Sequence, residues 1–153
     1  MQNLRAEIQQ TKPFSSPAEE AFLNLQRTAD QLLAVEAGFL AGYELTPAQY
    51  NVLRILRGAG EPGHPCQEVG ARMISRVPDV TRLLDRLEKA GLVERRRCTK
   101  DRRIVYAMIL PKGLTLLAQL DTPMAALPPQ MFAALTKTEI RQLNDLLVRA
   151  RGS

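Results

Sequence analysis

The sequence has no tryptophan, a single histidine and only two cysteines in 153 residues. Aromatic residues make up 5% of it, so a core has to be assembled mainly from Leu, Val, Ile and Ala, which suits packed helices. Cys66 and Cys98 have neither metal-ligand spacing nor the density of a disulfide framework. His64 has no second His or nearby Cys pair, so no metal site is expected. No apolar run, that around Ala107–Leu110 included, approaches the length needed to span a bilayer. The first residues lack the apolar stretch of a signal peptide, and the expected location is cytoplasmic, with no membrane partner. A nucleophile–base pair and a phosphate-cradling glycine loop are missing too, so neither an enzyme nor a bound cofactor is expected.

What the chain does have is a localised excess of positive charge. Its formal net charge is +5, with 45% hydrophobic and 24% charged residues, an ordinary balance for a single globular domain of this length. From Arg72 to Arg103 there are 11 Lys/Arg against 5 Asp/Glu, whereas the rest of the chain carries 10 against 11. A contiguous basic segment in an otherwise balanced chain is the footprint of a phosphate-binding face. A solvated charged surface is the alternative reading of the same residues.

The periodicity predicts a mainly α chain with one small β-hairpin. Residues 1–14 show no clean period and read as a loose arm. Ser16-Pro17-Ala18-Glu19 is a helix start: Ser16 caps, Pro17 suits the first helical position, and Glu19 sits where a capping box needs it. Apolar residues from Ala18 to Leu33 follow at helical spacing, and the helix runs to about Leu40 before Gly42. Thr46-Pro47-Ala48-Gln49 starts a second helix, with Leu45 and Tyr50 placed as a staple, and it ends at Gly58-Ala59-Gly60. A loop over Glu61–Pro65 leads to a short helix near Cys66–Met73, which Gly70 weakens by about 1 kcal/mol relative to Ala. Another helix, with Ser75 as its cap and Pro78 in its first turn, runs to Lys89 and stops at Gly91. Val80, Leu83, Leu84 and Leu87 form its apolar face; Asp79, Arg82, Asp85, Arg86 and Lys89 form the opposite one.

The period then changes to two. Leu92–Arg97 and Arg103–Leu110 read as strands around the turn Cys98-Thr99-Lys100-Asp101. Beyond Pro111 a helical pattern resumes, which Pro123 and Pro128-Pro129 are expected to kink or break. A last helix has Thr136 and Glu139 as a capping box and an apolar stripe from Ile140 to Ala150.

A short helix, a turn, an amphipathic helix with a polar outer face and a basic hairpin have the order of a winged helix-turn-helix, which enters the major groove of double-stranded DNA with its second helix. Arg76, Pro78, Asp79, Thr81, Arg82 and Arg86 lie on or before that helix. Lys100, Arg102 and Arg103 lie on the wing, within reach of a minor groove or its phosphates. The long terminal helices need something to bury against, either a second copy or the same chain folded back.

At these residues the sequence resembles the MarR family of bacterial transcription regulators. The match is densest from Asp79 to Arg95, in Thr81-Arg82-Leu83-Leu84-Asp85-Arg86-Leu87-Glu88 and Gly91-Leu92-Val93-Glu94-Arg95, and continues through Asp101-Arg102-Arg103 and Gly113. Leu45-Thr46-Pro47-Ala48-Gln49-Tyr50 looks like the opening of the family's second helix. The resemblance implies a single domain over 1–153, with residues of about 17–42 and 111–151 as dimerisation helices and about 45–110 as the winged helix-turn-helix lobe. It further implies a homodimeric regulator, a repressor in the first instance, on a palindromic operator. One wing arginine, assigned as Arg102, would reach the minor groove while Asp101 braces Arg103. A small phenolic or aromatic effector would bind between lobe and dimer helices, with Phe39, Tyr43 and Tyr50 as candidate lining; core packing accounts for these three equally. Cys98, beside Arg97 and Lys100, is a candidate oxidant sensor, and incidental exposure is the plainer reading. Three departures stand out: Leu110-Pro111 where the family has Leu-Thr, Pro78-Asp79 where small hydroxyl residues are usual, and the prolines at 123, 128 and 129. Two other classes stay open, a winged helix used for protein contact and a small enzyme.

Overall fold

The computed structural model describes residues 3–152. Its elements, in order, are α1 (Leu4–Glu7), α2 (Pro17–Ala41), α3 (Pro47–Ala59), β1 (His64–Pro65), α4 (Cys66–Val69), a 3-10 turn (Gly70–Arg72), α5 (Val80–Lys89), β2 (Val93–Arg97), β3 (Val105–Ile109), α6 (Pro111–Met131) and α7 (Lys137–Ala150). The chain is mainly helical with a small antiparallel sheet, as the periodicity predicts, and it divides into two compact units between Pro47 and Ala48.

The first unit is built on α2. Ser16 Oγ accepts the Glu19 amide at 3.1 Å, while Glu19 Oε2 takes the N–H and hydroxyl of Ser15. The capping box is thus displaced by one residue from the expected Ser16–Glu19 reciprocal pair. The unpatterned arm holds one short helix, α1, whose Leu4 is buried.

In the second unit, Val52, Leu53 and Leu56 of α3, Val69 of α4, Leu84 and Leu87 of α5, and Leu117 and Leu120 of α6 are fully buried. Each such side chain contributes about 1.5–3 kcal/mol of burial, which is what fixes α5 with its polar face outward. The sheet has the order β1-β3-β2, with Val93 opposite Ile109 and Arg97 opposite Val105. The strand β1 lies inside the stretch expected to be a loop; His64 pairs with Ala107 and Pro65 with Tyr106. Gly113 allows α6 to leave the sheet, since a Cβ there would lie 2.6 Å from the Leu92 carbonyl oxygen and 2.8 Å from Ile109 Cγ1.

Three further expectations need correction. The helix α5 starts later than expected: Asp79, not Ser75, is its N-cap, accepting the Arg82 amide at 2.8 Å, and Pro78 precedes the helix. A carboxylate at the cap satisfies an orphan amide and meets the positive end of the helix dipole, and Pro78 disfavours helical geometry at Val77. The hairpin strands are shorter than expected, because Asp101 Oδ1 accepts the Arg103 amide at 2.9 Å and the Asp101 carbonyl accepts the Ile104 amide at 3.0 Å, folding 98–104 into a turn. Finally, α6 is not broken at its prolines: it runs as one helix from Pro111 to Met131 through Pro123, Pro128 and Pro129. The carbonyls that Pro123, Pro128 and Pro129 leave without an i+4 donor belong to Gln119, Met124 and Ala125, of which Gln119 and Ala125 are exposed and Met124 is half-buried.

Candidate nucleic-acid interface

The helix-turn-helix is α4, the 3-10 turn, the connection Met73–Asp79 and α5. Gly70 ends α4 and lets α5 come close: a Cβ at Gly70 would lie 2.9 Å from Val80 Cγ2, at the first residue of α5. The Ile74 amide donates to Asn51 Oδ1 of α3 at 2.9 Å, tying the connection to the body of the lobe. Gly91, with φ at +71°, ends α5, and the Leu92 amide closes on the Leu87 carbonyl at 3.0 Å.

The sequence-predicted contacts fall into two groups. Thr81, Arg82 and Arg86 are exposed on α5, and Arg76 and Pro78 are exposed in the connection before it. Asp79 is also exposed, but its carboxylate is engaged as the cap. Lys100, Asp101, Arg102 and Arg103 are exposed in the wing turn. Asp101 acts on the Arg103 backbone amide; among the described residues no arginine side chain forms an ion pair with it. Arg76, Arg82, Arg86, Lys89, Arg97, Lys100, Arg102 and Arg103 likewise have no carboxylate partner among the described residues, which leaves eight cations free for phosphate or base edges.

The basic segment is therefore sorted into paired and unpaired charges. Arg72 is held by Glu68 at 2.9 Å and Arg96 by Glu94 at 2.6 Å. Arg95, on β2, reaches α5: its Nη2 lies 2.6 Å from Asp85 Oδ1 and 2.6 Å from Glu88 Oε2, its Nε 3.0 Å from Glu88 Oε2, and its own amide donates to Glu88 Oε1. The guanidinium hydrogen bond holds the Glu88 carboxyl below its ordinary range, and Glu88 in turn raises Arg95. Sequence reasoning missed this clamp by counting Arg95 within the basic segment from Arg72 to Arg103. The signal was the alternation along β2, which puts Arg95 on the same face as the buried Val93.

Of the remaining candidates, Phe39 and Tyr43 are in tilted ring contact at 5.5 Å within the first unit. Tyr50, in the second, is buried, with the Arg54 guanidinium 5.8 Å from its ring centroid. Cys98 is half-buried and lines a cavity of about 330 Å³ with Pro62, Arg97, Lys100, Tyr106 and Met108. Burial pushes the Cys66 thiol up, against the pull of the nearby Arg95, which suits a packing role. Among the described residues no group of three His, Cys, Asp or Glu could hold a metal ion, and no helix is long and apolar enough to cross a membrane.

A short helix packed close to a surface helix whose outer face is cationic, followed by a basic wing, defines a DNA-binding winged helix-turn-helix. The chain belongs to the MarR family of transcription regulators. The MarR family model matches residues 45–105, from the start of α3 through the wing turn. The chain is 30% identical over 105 residues, covering 69% of its own length and 71% of the relative's, to the HTH-type transcriptional regulator MhqR of Bacillus subtilis. It is similar in structure to a MarR transcription factor from Planctomyces limnophilus, with a TM-score of 0.69 and 36% identity over 88% of this chain and 98% of that one. At 18% identity and a TM-score of 0.77 it shares the fold of S. aureus MepR, solved as a complex with DNA, covering 86% of this chain and 96% of that one.

Proposed function

We propose that this regulator acts as a homodimer that reads an approximately palindromic operator, with α5 of each protomer in the major groove and each wing at the flanking minor groove. The observation that carries the reading is the separation of charges just described: acids hold Arg95, Arg96 and Arg72, while Arg82 and Arg86, one helical turn apart, and the wing cations are left for DNA. Residues of about 45–110 form the DNA-reading lobe, and those of about 17–42 and 111–151 the dimerisation helices. Support for the dimer comes from apolar side chains that a single copy leaves in water: Phe22 is 58% exposed, with Leu25 and Leu33 also exposed on α2 and Leu146 and Val148 on α7. In this reading the regulator is a repressor, and a small aromatic effector releases it, with Phe39, Tyr43 and Tyr50 the first residues to vary.

Selection of bound duplexes from a random pool, with light scattering on the same preparation, tests the proposal. The expected result is a dimer that enriches an inverted repeat whose half-site centres are about 10 base pairs apart. A monomer, or a pool without enrichment, would overturn it. Phe22→Asp and Leu146→Asp should each disrupt the dimer, since one copy alone would tolerate a charge at either exposed position.

A further inference from the structure

Ile74 is 86% exposed, the most exposed of the large hydrophobic residues described, and it sits in the connection that leads into α5. Its surroundings in sequence are polar and cationic: Arg72, Ser75, Arg76 and Asp79 are all exposed, while its neighbour Met73 is buried in the lobe. An isoleucine there does not contribute to the core of this copy. Its backbone is nonetheless fixed, because the Ile74 amide donates to Asn51 Oδ1 of α3 at 2.9 Å. The side chain is therefore presented from an anchored position, two residues before the free cation Arg76 and six before the first residue of α5.

The exposed apolar residues Phe22, Leu25, Leu33, Leu146 and Val148 lie on the long helices α2 and α7, where a second copy can cover them. Ile74 lies instead at the entrance to the helix that meets DNA. Base edges in the major groove present donors and acceptors and, at thymine alone, an apolar group, the 5-methyl. A β-branched side chain with few rotamers is suited to meet it.

We propose that Ile74 is a specificity-determining residue that packs against the 5-methyl group of one thymine in each half-site. The inference rests on the DNA-reading function proposed above and names one of its contacts.

Replacing thymine by deoxyuridine removes the methyl group and nothing else. Duplexes enriched from the random pool by the full chain would be substituted one thymine at a time and titrated with the wild type and with Ile74→Ala. One thymine per half-site is expected at which uracil weakens the wild type about fourfold, the worth of one buried methyl or methylene group. At that position Ile74→Ala should be indifferent to the change, and it should keep its sensitivity elsewhere. Both variants Ile74→Ala and Ile74→Thr should melt with the wild type, because the side chain is exposed; Ile74→Thr provides a second reading with the β-branch kept. Equal uracil sensitivity of wild type and variants at every position would overturn the inference while leaving DNA reading intact. So would an equal loss of affinity for selected and random duplexes, which would place Ile74 on sugar or phosphate. A pool without any enriched sequence would overturn the DNA reading itself, and Ile74's role with it.

Discussion

The Arg95 guanidinium on β2 and the Glu88 carboxylate on α5 share two hydrogen bonds, of 3.0 Å from Nε and 2.6 Å from Nη2, and a third runs from the Arg95 amide to the other carboxylate oxygen. The wing and the DNA-facing helix are therefore coupled through one side chain. Arg95→Met should lower stability by about 1–2 kcal/mol, since the pair is only partly buried and solvent weakens it. DNA affinity should fall by more than the stability change accounts for, and for all sequences alike, because the clamp positions the helix without touching a base. Melting curves read beside titrations of selected and random duplexes separate the two effects. Unchanged DNA affinity at unchanged salt would contradict the coupling.

Acid should dissolve the same clamp. The Glu88 carboxyl lies below its ordinary value of 4.5 in the folded chain, first because of the hydrogen bond from Arg95. A carboxylate depressed by folding contributes stability that is complete above the unfolded value and is lost as pH falls through the folded one. Glu139, held low by the Thr136 amide and hydroxyl, and Glu19, held low by the Ser15 hydroxyl and amide, act in the same direction. Stability should thus be level near neutrality and decline below about pH 4.5, and Glu88→Gln should make that decline shallower. A Glu88→Gln melting profile with the same slope from pH 5 to pH 3 would rule out this source of acid sensitivity.

Arg82 and Lys89 lie at opposite ends of α5, and neither has an acidic partner among the described residues. Arg82, at the end expected to approach base edges, should cost about 1–3 kcal/mol of operator binding when changed to alanine, with relaxed sequence preference. Lys89→Ala should weaken all duplexes about equally. Competition of operator against random DNA measures the difference; the same factor for both duplexes in Arg82→Ala would remove Arg82 from base reading.

The wing offers a test in which simple electrostatics and geometry disagree. Asp101→Ala makes the turn more positive, so charge alone predicts tighter binding. Its carboxylate, however, holds the Arg103 amide at 2.9 Å and shapes the turn that presents Lys100, Arg102 and Arg103. Affinity should fall. Arg102→Ala should reduce the slope of log affinity against log salt by about 1 and matter most beside A·T-rich flanks. Tighter binding of Asp101→Ala to operator and random duplex alike would make the wing a plain basic patch.

Gly70→Ala sets helix propensity against packing. Gly70 has right-handed helical dihedrals at the junction of α4 and the 3-10 turn, where alanine is favoured over glycine by up to about 1 kcal/mol, yet the added methyl would meet Val80 Cγ2 at 2.9 Å. The expected outcome is a small change in melting temperature with a clear loss of DNA affinity, because α5 has to shift. Adding Val80→Ala should restore binding; failure of that rescue would mean that the contact does not set the helix position.

Much of this architecture was legible in the sequence because local chemistry and tertiary packing agreed there. Thr136 and Glu139 form the full capping box that their spacing announces, and Leu84 and Leu87 are buried as the amphipathic pattern requires. The exposed candidates on α5 and in the wing turn follow from the same pattern. Legibility failed where a choice was decided by competition. Ser75 and Asp79 are both good caps, and only the backbone restriction at Pro78 and the charge of Asp79 separate them. The two-residue β1 is too short to show alternation, and it exists because β3 offers it an edge. Arg95 was hidden by its neighbours: three arginines in a row look alike in composition, although the pleat sends Arg95 toward α5 and leaves Arg96 to Glu94.

Pro123, Pro128 and Pro129 have no amide hydrogen, so the C-terminal half of α6 lacks three rungs of its backbone ladder, while its fully buried anchors, Leu117 and Leu120, lie in the N-terminal half. The ladder thus loses one rung beside the buried anchors and two more on the way to α7. In the proposed dimer, where α6 and α7 would join two lobes, fewer backbone hydrogen bonds would have to be strained for the two reading heads to shift relative to each other. On that proposal, adding one base pair between the half-sites should cost this regulator less affinity than it costs a relative without prolines in the same helix.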